Sequence, residues 1–518
     1  MHTFQDPLRR AITTHGDAEA VVCGDIRHDY DTTVDRCRRL AQALLALDLA
    51  DGPLRRGDRV AIVAANCHRY IETYLAVPAA GLVLVPLNSR HTDHELRYAA
   101  DDSATRVLIT DRPPSPLDDV FERVIRIPDD YEALLAAAGP SDDPFPVDVF
   151  PDDLAETDLA GLFYTGGTTG AAKGVMLTHR NLIANAWSTF TWSELSPEDR
   201  YLVVSPLFHA AGTVQVLASV WMGSAQVILP AFDPAGVLDL FERERITTTL
   251  LVPTMLAATT DEQLRTPRDV SSLRMLSHGA SPATLALLRR AADTFAHAEL
   301  LHLYGATETS PVATALRHER AYLDTPVGKS CGSPVIGVDI AILGPDGDRL
   351  PVGEVGEVGI RGANVMQGYW NKPEATAAAL SDGWYRSGDV GRVDDRGHLF
   401  LVDRSKDMIV SGGENVYSTE VEDALASHPL VAEVAVIGVP DERWGEAVHA
   451  VVVLREPADD PDAVASELLA HARETIAGYK VPKHIEISVD PLPKSGAGKI
   501  LKRTLREPHW DGHDTAIM

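Results

Sequence analysis

From Tyr164 to Val175 the chain reads YTGGTTGAAKGV. Gly166, Gly167, Gly170 and Gly174 allow a tight backbone path and a close approach of N–H groups to an anion, because no Cβ intervenes. Thr165, Thr168 and Thr169 add hydroxyl donors, and Lys173 adds a mobile cation. The set suits a polyphosphate, although a flexible surface loop has the same composition. The GxxxxGK[ST] spacing of a P-loop is missing, since Gly170 is followed by Ala171, Ala172 and Lys173, and this disfavours a P-loop NTPase. A second string, LYGATETSP from Leu303 to Pro311, offers the Tyr304 ring for stacking on a purine, the Thr307 hydroxyl for a phosphate and the Glu308 carboxylate for Mg²⁺. In isolation it reads equally as a capped turn in which Thr307 and Glu308 begin a helix.

The elements that must carry these strings are strands alternating with helices. Strands are expected at Arg59–Ala65, Leu82–Leu87, Arg106–Thr110, Tyr201–Val204, Ala225–Leu229, Thr248–Val252, Arg274–Ser277 and Leu300–Leu303, with a helix over Thr33–Leu49. Such alternation predicts an α/β architecture with mostly parallel sheets, whose ligands sit beyond the carboxyl ends of the strands. From Asp339 to Phe400 the pattern turns β-rich, with turns at GPDGD and DDRGH, which predicts a β-rich subdomain. After the charged cluster DRSKD (403–407) a small α+β unit is expected, with helices at Glu420–Ala426, Val464–Ile476 and Lys499–Leu505 and a frayed end from Pro508. This predicts a large N-terminal domain over 1–405 and a C-terminal domain over 406–518.

The 518 residues are 45% hydrophobic and 24% charged, ordinary for a globular chain with a large core. A formal net charge of −28 speaks against nonspecific nucleic-acid binding. No apolar run is long enough to span a bilayer, and the N-terminus lacks a signal segment, so a cytoplasmic location is expected. Cys23, Cys37, Cys67 and Cys331 have neither zinc nor disulfide spacing.

The phosphate-loop string resembles the signature of the acyl-adenylate-forming superfamily, which includes acyl-CoA synthetases, luciferases and peptide-synthetase adenylation domains. Gly166 stands where serine is usual there, and Ala172 where proline is usual. The resemblance implies that LYGATETSP is an adenine and metal motif, with Leu303, Tyr304, Gly305, Ala306 and Thr307 at the nucleotide and Glu308 on Mg²⁺. It also implies that Gly279, Ala280 and Ser281 (in SHGASP) line the nucleotide, with Gly279 bordering the acyl group. Asp389 (in WYRSGDVG) would take the ribose hydroxyls, and Arg404 (in LVDRSKD) ribose or phosphate. Lys406 matches the domain hinge, and Lys499 (in LPKSGAGKILKR) the catalytic lysine. Gly412, Gly413 and Asn415 (in SGGENVY) match the tunnel for the pantetheine arm of coenzyme A. The matches run in order from about residue 160 to 503.

Peptide-synthetase domains hold a substrate ammonium with an aspartate in the segment matching PLFHAAG, where this chain has Phe208 and His209. An amino acid would leave its ammonium buried and unpaired there. His209 then walls the acyl pocket or is a plain core histidine, while Gly212, Gly279 and the apolar stretch around Val312 suit a fatty or aromatic acid. The implied function is an ATP- and Mg²⁺-dependent acid–thiol ligase with Lys499, Glu308, Thr165 and His209 as its catalytic set. The alternative is an adenylate-forming enzyme whose acceptor is a carrier protein or oxygen. The expected partners are the acid, ATP and CoA, with a homodimer left open.

Overall fold

Residues 59–178 build most of a seven-stranded sheet in the order Gly368–Tyr369, Lys173–Thr178, Leu159–Thr165, Val83–Pro86, Arg59–Val63, Val107–Thr110 and Arg123–Arg126. The computed structural model describes residues 2–165, 172–318, 320–404, 407–411, 414–441, 443–495 and 499–510. Strands Val83–Pro86 through Arg123–Arg126 pair in parallel, whereas Leu159–Thr165 and Lys173–Thr178 form an antiparallel hairpin. Alternate residues of Arg59–Val63 supply different layers. Val60 and Ile62 join the large central core, and Ala61 and Val63 a second core on the opposite face. This is the pattern of a strand buried on both faces, and it is why these runs are continuously apolar.

A second sheet has nine strands. At its centre Ala225–Ile228, Arg200–Val203, Thr248–Leu250, Met275–Gly279 and Glu299–Tyr304 run parallel, in that spatial order. Tyr201 and Val203 face the central core, while Leu202 and Val204 face an outer one, so the large core lies between the two sheets. The early strands Glu19–Cys23 and Ile26–Asp29, not apparent in the sequence, cross to this sheet, and Glu19–Cys23 pairs in parallel with Ala225–Ile228. The helix expected over Thr33–Leu49 spans Tyr30–Leu45, because Asp29 accepts from the Thr32 N–H and caps it earlier. In its interior Arg36 ion-pairs with the buried Glu72 of the helix His68–Ala79 and with Glu132 of the helix Asp129–Ala138.

The β-rich subdomain is antiparallel throughout, formed by Val338–Leu343, Gly356–Gly362, Leu380–Ser381, Trp384–Val393 and Leu399–Arg404. Residues beyond 407 make a sheet and core of their own, the longest strands being Val431–Asp441 and Gly445–Leu454. Here one expectation fails. Lys499 is not in a helix; a bridge between Lys494 and Ile500 closes the glycine turn, and the helix starts only at Lys502. That helix continues past Pro508 to Trp510, whose indole N–H donates to the Gly438 carbonyl at 3.1 Å, so residues 508–510 are helical where fraying was expected, and the rest of the expected frayed end lies outside the described residues. No helix among the described residues is long and apolar enough to cross a membrane.

Candidate active site

Segments that follow neighbouring parallel strands of the nine-stranded sheet carry several of the expected residues. His209 follows Arg200–Val203, Ala280 and Ser281 follow Met275–Gly279, and Gly305 to Glu308 follow Glu299–Tyr304. They stand beyond the carboxyl ends of the strands, where such sheets bind ligands. From the other sheet the hairpin Leu159–Thr165 and Lys173–Thr178 brings Thr165 opposite Lys173. Its base is braced, because Tyr164 donates to Asp102 at 2.7 Å, Tyr98 to the Ala172 carbonyl at 3.1 Å, and the Trp370 N–H to the Gly174 carbonyl at 2.8 Å.

Tyr304 and Asp389, separate in sequence, meet: the phenol donates to Asp389 Oδ2 at 2.7 Å. Burial first, then the Asp389 charge, pushes the Tyr304 hydroxyl far above its ordinary pKa, so it stays protonated. Glu308 lies in a short turn, Thr307–Thr309, where the Met366 N–H donates to its carbonyl and the Tyr369 hydroxyl to its Oε1, both at 2.8 Å. The Lys173 ammonium stands 4.8 Å over the Tyr369 ring. Tyr385 joins the two pairs. Its buried hydroxyl is pushed upward by desolvation first, and then by the nearby Glu308, Tyr369, Tyr304 and Asp389. The expected phosphate-loop lysine, metal carboxylate, adenine tyrosine and ribose carboxylate thus form one cluster.

Lys499 comes from the C-terminal sheet's own loop, yet its charge reaches His209. Desolvation chiefly, and Lys499 second, pull the imidazole down to about 3, so it is neutral at physiological pH and its Nδ1 accepts from the Ala211 N–H at 3.2 Å. Two hydrogen bonds tie Lys499 to Ser495: the Ser495 N–H donates to the Lys499 carbonyl at 2.7 Å, and the Lys499 N–H to Ser495 Oγ at 3.2 Å. Six residues beyond His209, Gln215 is fully buried, with both amide atoms unpartnered among the described residues. Val312 is buried, and its carbonyl accepts from Asn364 at 2.8 Å and Asn185 at 3.2 Å.

Two glycines expected to make room for substrate have a prior reason for being glycine. A Cβ on Gly279 would stand 2.1 Å from the carbonyl of Leu303, its register partner, and one on Gly212 would stand 2.1 Å from the Pro206 carbonyl. The chain's own backbone excludes any side chain there, whatever binds. Ala280 has φ +66°, a left-handed conformation costly for a residue with a Cβ.

Gly166, Gly167, Thr168, Thr169, Gly170, Lys406, Gly412 and Gly413 lie outside the described residues, as do the side chains of Arg404 and Asn415. The Arg404 backbone is the register partner of Asp389. Sequence reasoning missed Tyr369, Tyr385 and Asn364. Tyr369 sits in a two-residue strand beside the phosphate hairpin, and nothing in GYWN sets it apart from a turn. The Asn364 amide bonds the Thr309 and Val312 carbonyls, at 2.9 and 2.8 Å, and so holds the Glu308 turn from a distant loop.

The chain matches the family described as AMP-binding enzyme over residues 8–370 and the AMP-binding enzyme C-terminal domain over residues 420–499. It is 42% identical over 506 residues to a feruloyl-CoA synthase of an Amycolatopsis species, covering 96% of this chain and 97% of that one. It is 35% identical to a medium/long-chain-fatty-acid–CoA ligase of Mycobacterium tuberculosis, covering 98% and 90%. Among solved structures it is similar to ATP-bound MatB from Rhodopseudomonas palustris, with a TM-score of 0.87 at 30% identity over 99% of this chain and 100% of that one. Apo MatB gives a TM-score of 0.75 at 29% identity over the same shares.

Proposed function

This chain belongs to the AMP-binding enzyme family, and from that premise we propose that it is an ATP-dependent acid–thiol ligase that joins a fatty or aromatic carboxylic acid to coenzyme A through an acyl-adenylate. The observation that carries this reading is the cluster in which Lys173, Glu308, Tyr304 and Asp389 meet through Tyr369 and Tyr385. A carboxylate oxygen attacks the α-phosphorus of ATP, the bond to pyrophosphate breaks, and acyl-AMP is left. Charge builds on the α-phosphate as this happens, and Lys499 supplies a cation that can arrive and depart. Thr165 and Lys173 hold the phosphates with the glycine loop, and Thr307 donates to the α-phosphate. Tyr304, fixed by Asp389, presents its ring to the adenine, and Asp389 together with Arg404 takes the ribose.

Glu308 fits a divalent cation. Its carboxylate accepts from the Tyr369 hydroxyl, which burial keeps neutral. It would hold Mg²⁺, which neutralises phosphate charge when bound. In the second step the C-terminal domain turns about Lys406, and the CoA thiol attacks the acyl carbon as the bond to AMP breaks. Neutral His209 walls the acyl pocket at that point, and Gly412, Gly413 and Asn415 line the thiol's approach.

An aromatic acid is favoured within this class by the likeness to a feruloyl-CoA synthase. The test is pyrophosphate release over a panel of hydroxycinnamates and fatty acids, with and without CoA. Release with no dependence on CoA for turnover would instead favour a carrier protein or oxygen as acceptor. A preference for fatty acids would overturn the aromatic reading alone.

A further inference from the structure

The helix Lys502–Trp510 lies against the C-terminal sheet, and its last residue is tied to the Gly438 carbonyl. This sets His509 beside two strands that pair in parallel, Gly445–Leu454 and His484–Ser488. In that register His449 is the partner of His484, and Glu486 lies two residues on, on the same face as His484. One ligand atom from each of His449, Glu486 and His509 lies within 4.8 Å of the others. The His449 and His509 rings are 4.8 Å apart between centroids, and His484 is 6.4 Å from His449.

His449 is only 7% exposed, and its Nε2 has no hydrogen-bond partner among the described residues, standing 3.5 Å from Glu486 Oε2. A buried nitrogen lone pair or N–H aimed at a carboxylate and a second imidazole, but bonded to neither, is costly unless something sits between them.

We propose that His449, Glu486 and His509 form a zinc-type metal site that pins the C-terminal helix to its sheet. Two imidazoles and a carboxylate are borderline donors that select Zn²⁺ or Co²⁺ over Mg²⁺, which prefers oxygen throughout. In a filled tetrahedral site, with metal–ligand bonds of about 2.0–2.1 Å, the donors stand roughly 3.3 Å apart. Rotation of the exposed Glu486 and the half-buried His509 closes the difference. Water or His484 completes the fourth position. None of these residues belongs to the adenylation cluster, so the metal is structural and acts on the helix that directly follows the Lys499 loop.

The test uses tag-free, full-length protein stripped with a chelator and titrated with Co²⁺ in excess Mg²⁺. Expected are one saturating equivalent with visible d–d bands of four-coordinate intensity, displacement by Zn²⁺, and a rise in Tm on binding. His509→Gln and Glu486→Gln, both at accessible positions, should each weaken Co²⁺ binding by about tenfold or more and remove the Tm rise, while acyl-CoA synthesis by the metal-free protein stays within about twofold. Absence of a saturable Co²⁺ band, or binding unchanged in both variants, overturns the proposal. It would leave His449 as a buried imidazole packed beside Glu486 with no metal between them.

Discussion

Tyr369 and Glu308 form a small test of how the cluster works. Tyr369→Phe removes the hydroxyl that donates to Glu308 Oε1. A bond to a charged acceptor contributes about 1.5–3 kcal/mol, so adenylation should slow by about tenfold or more, with the apparent Mg²⁺ requirement raised. Glu308→Gln should cost more, about 10²-fold or beyond in pyrophosphate release, while ATP binding weakens only modestly. Near-normal release at saturating Mg²⁺ would remove Glu308 from the site. Lys499→Ala should lower adenylation by about 10³-fold, yet chemically prepared acyl-AMP should still pass to CoA at nearly the unmodified rate. Loss of both half-reactions in a folded variant would contradict a lysine used in the first step alone.

At the scale of the element, three adjacent strands stack histidines. His278 and His302 are register partners with rings 4.8 Å apart, and His318 lies 5.3 Å from His278. Burial lowers all three, His278 well below its ordinary value and His318 to about 3. The folded state therefore binds fewer protons than the unfolded chain, whose histidines titrate near 6.5. Stability should be complete above that pH and fall below it, by up to about 1.4 kcal/mol per pH unit from His318 as the pH drops toward 3, with the other two adding in the same direction. Urea unfolding at pH 7.5 and 5.5 should show this loss, and His318→Leu should reduce it; an unchanged slope would rule out the stack as its source. The sequence disclosed most of the strands, since parallel strands buried on both faces are continuous apolar runs. Strings that resemble the family's motifs also singled out Tyr304, Glu308 and Asp389, and the fold brings these three together around Tyr385. It did not disclose Tyr369, Asn364 or the strands Glu19–Cys23 and Ile26–Asp29, because short strands and long-range hydrogen bonds leave no local period. The helix at Lys502 was placed three residues early because the glycine turn hides the bridge between Lys494 and Ile500.

Across the whole molecule the two parts are joined just before the expected hinge. Asp403 accepts from the Ser418 N–H at 2.5 Å and from its hydroxyl, and Lys502 donates to the same Ser418 hydroxyl at 2.7 Å. Lys406→Pro should leave acyl-AMP formation within about threefold and slow thioester formation by about 10²-fold, because a fixed φ resists rotation. Rapid-quench measurement of each half-reaction checks this, and equal losses in both would place the hinge elsewhere. The crossing of Glu19–Cys23 into the nine-stranded sheet bears on how the protein is made. A ribosome releases Val21 and Val22 long before their partners Gln226 and Val227 exist. At 5–20 residues per second, that apolar segment waits roughly 10–40 s for its neighbour. The nascent chain must therefore be sheltered until its partner strand at 225–228 has been made, and the first fifty residues are the natural place for a chaperone to hold.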